Sequence, residues 1–192
     1  MEYIIIIIGT VLVSNIVLSN FLGICPFLGV SNKISTATGM AGAVLFVMTV
    51  ATIVTWLIQN YILAPFNLGF LQTISFILVI ASLVQVVEII LKKVSPPLYQ
   101  ALGVFLPLIT TNCAIMGVAL LVVQKEYNLL EGTVYAIGNS IGFALALVLF
   151  AGLREHLELM DVPKGMRGMP IALVVAGILS LAFMGFANLV KI

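Results

Sequence analysis

Residues 34–87 read ISTATGMAGAVLFVMTVATIVTWLIQNYILAPFNLGFLQTISFILVIASLVQVV, a run without a single Asp, Glu, Lys, Arg or His. A helix needs about 20 apolar residues, at about 1.5 Å rise each, to cross a hydrocarbon core of about 30 Å. This stretch is long enough for two crossings. Gln59, Asn60, Pro65, Asn67 and Gly69 gather at its middle, and Pro65 interrupts any helix there, so the turn is placed between the two. Outward from it, residues 3–32, 94–124, 132–153 and 168–190 are also free of ionisable side chains, and each accommodates one crossing. The pattern predicts an all-α, polytopic membrane protein with six transmembrane helices near 3–24, 37–59, 69–91, 98–122, 131–153 and 169–190.

Composition excludes the alternatives. Of 192 residues, 62% are hydrophobic and 8% charged, with a mean hydropathy of +1.29, whereas soluble domains carry about 25% charged residues. The chain is too short for a bundle plus a catalytic domain. The first apolar segment lacks a basic leader and a small-x-small cleavage site and is followed by five more, so it reads as a helix and not as a signal peptide. There is no Walker A motif, no G-x-G-x-x-G opening a soluble helix and no basic stripe, which argues against an NAD or flavin domain and against nucleic acid as a partner.

Six crossings put both termini on one side. That side holds Lys125 and Lys191, and the other holds Lys33, Lys92, Lys93, Arg154, Lys164 and Arg167. Basic loops stay in the cytoplasm, so both termini are predicted outside it.

The two cysteines, Cys25 and Cys113, lie in similar surroundings. Cys25-Pro26-Phe27-Leu28-Gly29-Val30 and Cys113-Ala114-Ile115-Met116-Gly117-Val118 are both C-x-x-x-G-V, 88 residues apart. The spacing divides the single membrane domain, residues 1–192, into repeats of about 1–95 and 96–192. Three helices in each repeat would make them inverted, related by a two-fold axis in the membrane plane. The cysteine segments exceed one crossing in length and carry helix breakers: Gly23, Pro26 and Gly29 in the first, Pro107 and Gly117 in the second. Asn15, Ser19 and Asn20 precede Cys25, and Thr110, Thr111 and Asn112 precede Cys113. Interrupted helices with polar backbone are how membrane proteins build ion and cofactor sites. The residues alone leave several readings open. A free Cys is commonly a small core side chain, a disulfide between two such positions inside a bilayer gains little, and a metal site is the third reading. An iron–sulfur cluster takes four thiolates, so here it would lie between chains, at a homodimer axis or against a related partner. Its negative charge would need N–H donors and helix N-termini around it.

These segments carry a family resemblance. Leu22-Gly23-Ile24-Cys25-Pro26-Phe27-Leu28-Gly29-Val30 and Leu106-Pro107-Leu108-Ile109-Thr110-Thr111-Asn112-Cys113 resemble the signature segments of the A subunit of the Rnf electron-transport complex and, more distantly, of the E subunit of the sodium-translocating NADH:quinone oxidoreductase. Arg154-Glu155, Asp161-Val162-Pro163, Arg167-Gly168 and Leu181-Ala182-Phe183-Met184-Gly185-Phe186 resemble that family too, and the likeness runs from end to end. Pro26 and Thr111 are closer to the Rnf subunit.

The resemblance implies a membrane subunit of a redox-driven, ion-translocating ferredoxin:NAD oxidoreductase in a bacterial or archaeal cytoplasmic (inner) membrane, with no activity on its own. It implies that electrons pass through an intramembrane [2Fe–2S] cluster, coupled to Na+ or H+ transport. The cluster's iron would be held by Cys25 and Cys113 together with two cysteines of a homologous, opposite-topology subunit (RnfE-like). Thr110, Thr111 and Asn112 would stand behind these ligands. The Rnf subunits B, C, D and G and membrane lipid are the other implied partners. Ser35-Thr36-Ala37-Thr38 lacks the pattern that resembles covalent flavin attachment in sister subunits, so no flavin is expected here. The competing functions are a stand-alone secondary transporter with inverted repeats, the equivalent quinone-reductase subunit, and a purely structural anchor.

Other polar features read as ordinary. Glu88 and Lys92 have i,i+4 spacing for an interfacial ion pair. His156 reads as a solvated loop residue, and Met160, Met166 and Met169 as interface cover. Gly138 and Gly142 form a GxxxG for close helix contact, and Gly39 and Gly42 are a second small pair, with the partner surface left open for both.

Overall fold

In the computed structural model, residues 2–66, 69–94, 106–160, 163 and 165–186 are described, and among them there are helices and turns but no strand. The order is α1 (Glu2–Ile8) running into a π-helical turn (Gly9–Val13), α2 (Ile24–Gly29), α3 (Ile34–Ile58) prolonged by a π-helical turn (Gln59–Leu63), then a 3-10 turn (Gly69–Leu71) into α4 (Gln72–Val94). After these come α5 (Leu106–Thr110), α6 (Cys113–Gln124), α7 (Leu129–Glu158) and α8 (Met169–Met184). Four described segments are long and apolar enough to cross a membrane: Ile34–Leu63, Gly69–Ile90, Pro107–Gln124 and Leu129–Glu158. Tyr3–Val13 and Met169–Met184 are shorter apolar helices. This is a multi-pass, all-helical membrane architecture.

The helices expected near 37–59, 69–91 and 131–153 are α3, α4 and α7, and α7 extends beyond its charge-free run at both ends. The one expected over 3–24 is not continuous, because its helix stops at Val13 and the chain turns before α2. The one expected over 98–122 is interrupted at Thr111 and Asn112. Residues 98–105 and 187–190 lie outside the described residues, as do Asn67, Asp161, Val162, Lys164 and Lys191.

The most extensive contact is between α3 and α7. On α3 the buried positions Ala37, Met40, Ala41, Val44, Val47, Met48, Ala51 and Thr55 recur every three or four residues, which is one helical face. Thr52 and Thr55 on that face donate their hydroxyl protons to Met48 O (2.8 Å) and Ala51 O (2.7 Å), so neither donor is stranded in a low dielectric. Of the four long segments α7 buries the largest share and the segment containing α4 the smallest. Helix α4 buries Phe76, Ile80 and Val84, with Leu83 and Val87 packed beside them, and it leaves Ile74, Ile77, Leu78, Val86, Ile89 and Ile90 exposed. Water would not tolerate that outer face, but lipid does.

The partner of the α7 GxxxG is internal. A Cβ on Gly138 would collide with Thr10 Oγ1, and one on Gly142 would lie 3.1 Å from Thr10 O and 3.3 Å from Val11 Cα. The pair lets the first segment's backbone lie directly against α7. Gly42 on α3, by contrast, faces open space. At the far end of α3, Trp56 Nε1 donates to Tyr127 O (2.9 Å), and Lys125 sits over the Tyr127 and Tyr135 rings (5.7 and 5.2 Å).

Candidate cofactor site at two broken helices

The first break is built around Asn15, which is fully buried. Its Oδ1 accepts the N–H groups of Val17 (3.1 Å) and Leu18 (3.4 Å), and its Nδ2 donates to Gly142 O (2.8 Å) and Val11 O (3.2 Å). Ser19 Oγ donates to Val13 O (3.1 Å), and Ser180 Oγ of α8 to Leu18 O (2.6 Å). Side chains thus satisfy the backbone groups that the lost helix would have paired, as irregular backbone at membrane depth requires. The chain then reverses through Phe21 (φ +55°) and Gly23 (φ +82°) and enters α2, with Cys25 in its first turn.

At the second break, Asn112 leaves the helical region (φ −70°, ψ 109°) and caps α6: its Oδ1 accepts the N–H of Ala114 at 3.0 Å. Cys113 is the first residue of α6. Asn and Ser are the residues that hydrogen-bond locally and compete with a continuing helix.

The prolines are not the breaks. Pro26 and Pro107 both sit in the first turn of a short helix, where the missing N–H is unpaired in any case. Gly117 lies inside α6, where its lack of a side chain admits Leu22: a Cβ there would meet Leu22 Cδ1 at 2.6 Å. Of the expected breakers, Gly23 alone has a left-handed backbone.

The two breaks touch one another. The Gly23 N–H donates to Cys113 Sγ at 2.9 Å. A Cβ on Gly23 would lie 3.0 Å from Phe143 Cε2, 3.1 Å from Ala114 Cβ and 3.3 Å from Asn112 Oδ1, so only glycine fits. Leu108 Cδ1 is 3.5 Å from a Cβ built on Gly29, carrying the contact along α2 and α5. Both cysteines are free and exposed, which removes the reading of either as a small core side chain. Among the described residues, no three His, Cys, Asp or Glu side chains converge on a point.

The residues expected behind the cysteines divide. Asn112 is buried beside Cys113, and its Nδ2 has no hydrogen-bond partner. The Thr111 hydroxyl donates to Pro107 O (2.8 Å) and so serves its own helix. Thr110 ends α5, half-buried. The junction therefore presents to Cys113 one backbone donor already bonded to sulfur and the N-terminal dipole of α6. This is the environment that a negatively charged thiolate-bound group requires.

Comparison with known proteins gives the lineage. Residues 3–190 match the model of the "Rnf-Nqr subunit, membrane protein" family. The chain belongs to the Rnf-Nqr family. It is 61% identical to the A subunit of the ion-translocating oxidoreductase complex of Syntrophotalea carbinolica, over 96% of both chains. It is 58% identical to the A subunit of the Na(+)-translocating ferredoxin:NAD(+) oxidoreductase complex of Acetobacterium woodii, over 98% of both. The corresponding protein of Serratia proteamaculans, also the A subunit of an ion-translocating oxidoreductase complex, is 56% identical over 99% of this chain and 98% of its own. The match of this Rnf-Nqr chain to each of them is therefore end to end.

Some parts of the site were missed in the sequence. Phe143, Phe150 and Arg154 reach the breaks from α7, more than a hundred residues downstream of α2. Arg154 carried one available signal, a lone guanidinium at the end of an apolar run, where intramembrane charges are usually functional.

Proposed function

We propose that this chain is the A subunit of an ion-translocating ferredoxin:NAD oxidoreductase (Rnf) complex. In this reading Cys25 and Cys113 supply two of the four thiolates of a [2Fe–2S] cluster, and a homologous subunit of opposite topology supplies the others. The observation that carries it is the meeting of the two broken helices, Gly23 N–H on Cys113 Sγ, with both free thiols exposed on the chain's surface. Two exposed cysteines at one junction are half a cluster site, and the remaining ligands have to come from outside the chain.

A [2Fe–2S] cluster supplies a one-electron carrier when bound. The chain's own residues hold and insulate it. Cys25 and Cys113 are the ligands, and the Gly23 N–H offsets negative charge on sulfur. Leu22 and Phe143, packed on Gly117 and Gly23, keep water from the inner side. Hydrogen bonds to sulfur and low exposure are the levers that set a cluster's potential.

The fold is read as six transmembrane helices in two inverted repeats, about 1–95 and 96–192, with both termini outside the cytoplasm in a bacterial or archaeal inner membrane. Coupling to Na+ or H+ movement and association with the Rnf subunits B, C, D and G belong to the same reading. A reporter active only in the cytoplasm, fused after Ile192, is expected to be silent; activity there overturns the orientation.

The decisive experiment compares the intact complex with this chain purified alone. The complex is expected to contain an intramembrane [2Fe–2S] signal by EPR that the isolated chain lacks, and the isolated chain in liposomes is expected to move no ion. Ion movement by the iron-free chain alone would instead establish a stand-alone transporter.

A further inference from the structure

Helix α2 has only six residues, Ile24–Gly29, with Cys25 near one end. So short a helix cannot pair its last carbonyls internally, and in a low dielectric an unpaired carbonyl is costly. Its last turn is met by a side chain from 126 residues away: Arg154 Nη1 donates to Leu28 O and to Ser31 Oγ, both at 2.8 Å. Ser31 is fully buried. The same guanidinium lies 5.8 Å from the centre of the Phe150 ring. Phe150, fully buried, stacks on Phe27 with ring centroids 4.3 Å apart and planes 14° from parallel. Phe27 is two residues from Cys25.

We propose that Arg154 is a positioning residue for Cys25: it clamps the C-terminal end of α2, through Leu28 O, Ser31 and the Phe150–Phe27 stack, and so sets where the Cys25 thiol lies. The role is distinct from that of a surface charge. A cation at a helix C-terminus opposes the partial negative charge there, and charge-assisted hydrogen bonds are about twice as strong as neutral ones. Arginine also offers a flat face to Phe150 that lysine lacks. No comparable clamp is needed at Cys113. That residue begins a twelve-residue helix with its own asparagine cap, and long helices hold their own axis. The helices of the two cysteines are therefore held by different means, that of Cys113 by a local asparagine cap and that of Cys25 by a remote arginine. The significance of the clamp rests on Cys25 being a ligand, but the clamp is testable without iron.

The test is the rate of alkylation of each cysteine by N-ethylmaleimide, followed by mass spectrometry of the full chain in iron-free membranes. In Arg154→Gln the Cys25 rate is expected to change by about tenfold, the scale of losing a charge-assisted hydrogen bond, with Cys113 within twofold of the parent. Arg154→Lys is expected to restore only part of the change, because it returns the charge without the flat face on Phe150. Ser31→Ala, which removes one anchor and leaves the charge, is expected to shift Cys25 in the same direction by a smaller factor, and it serves if Arg154→Gln does not fold. In the assembled complex, Arg154→Gln should alter the line shape of the cluster's EPR signal, and Arg154→Lys should recover it in part. Equal Cys25 rates in parent and variants would overturn the proposal. So would an equal change at Cys113, because that reports general loosening. Alkylation does not depend on bound iron, so a failure of the clamp is distinguishable from a failure of the cluster reading.

Discussion

Alanine at either Cys25 or Cys113 is expected to abolish the intramembrane iron–sulfur signal of the assembled complex and to lower ferredoxin-dependent NAD reduction by at least about 100-fold, beyond the 10- to 100-fold typical of losing a group behind a metal ligand. Neither change leaves a cavity in the core, because both thiols are exposed; Cys113→Ala also removes the acceptor of the Gly23 N–H, so Cys25→Ala is the cleaner of the two. The subunits should therefore co-purify as in the parent. In the proposed reading the two cysteines act as a unit, so the double variant should be no worse than either single one, the non-additivity expected of groups with a common task. Iron and acid-labile sulfide analysis with EPR checks this result. Parent-level iron and coupled electron transfer in Cys113→Ala would eliminate the cluster role and leave the cysteines as surface residues.

Gly23→Ala should be strongly damaging for a single methyl group. The left-handed backbone at φ +82° disfavours any L side chain by about 1–2 kcal/mol. The new Cβ would also press on Phe143, Ala114 and Asn112 at 3.0–3.3 Å, and overpacking of this kind typically adds about 1–3 kcal/mol. Relief requires the first break to withdraw from the second, which takes the Gly23 N–H off Cys113 Sγ. We expect a lower thermal midpoint for the complex together with faster alkylation of Cys113. Gly42→Ala is the control. Nothing lies within 4 Å of its would-be Cβ, and alanine in a helix is favoured over glycine by about 1 kcal/mol, so the midpoint should hold or rise. Matching behaviour of the two variants would mean that the junction does not depend on glycine.

The membrane character of the chain was legible in its charge-free runs, since hydrocarbon selects composition directly and needs no knowledge of packing. For the same reason α3, α4 and α7 fall where residues 37–59, 69–91 and 131–153 put them. The matching surroundings of Cys25 and Cys113 also marked the region of the site before any geometry was known. The cause of the breaks was not legible. Pro26, Pro107 and Gly117 are the conspicuous helix breakers, but they lie within helices, because first-turn prolines forfeit no hydrogen bond and a helical glycine next to Leu22 gains close packing. The chain leaves the helix where Asn15 and Asn112 capture backbone groups. Whether an asparagine does so depends on what it bonds, and for Asn15 part of that is Gly142 O, 127 residues away.

By itself, then, the sequence determined that this protein lies in a membrane and that its two cysteines interrupt apolar segments, because both follow from local composition and spacing. Only the tertiary structure decided that the interruptions touch, that Gly23 N–H meets Cys113 Sγ, and that Arg154 holds the helix of Cys25. Those contacts join residues about 90 to 126 positions apart, and nothing in a one-dimensional pattern fixes which distant donor a freed carbonyl or a sulfur will find.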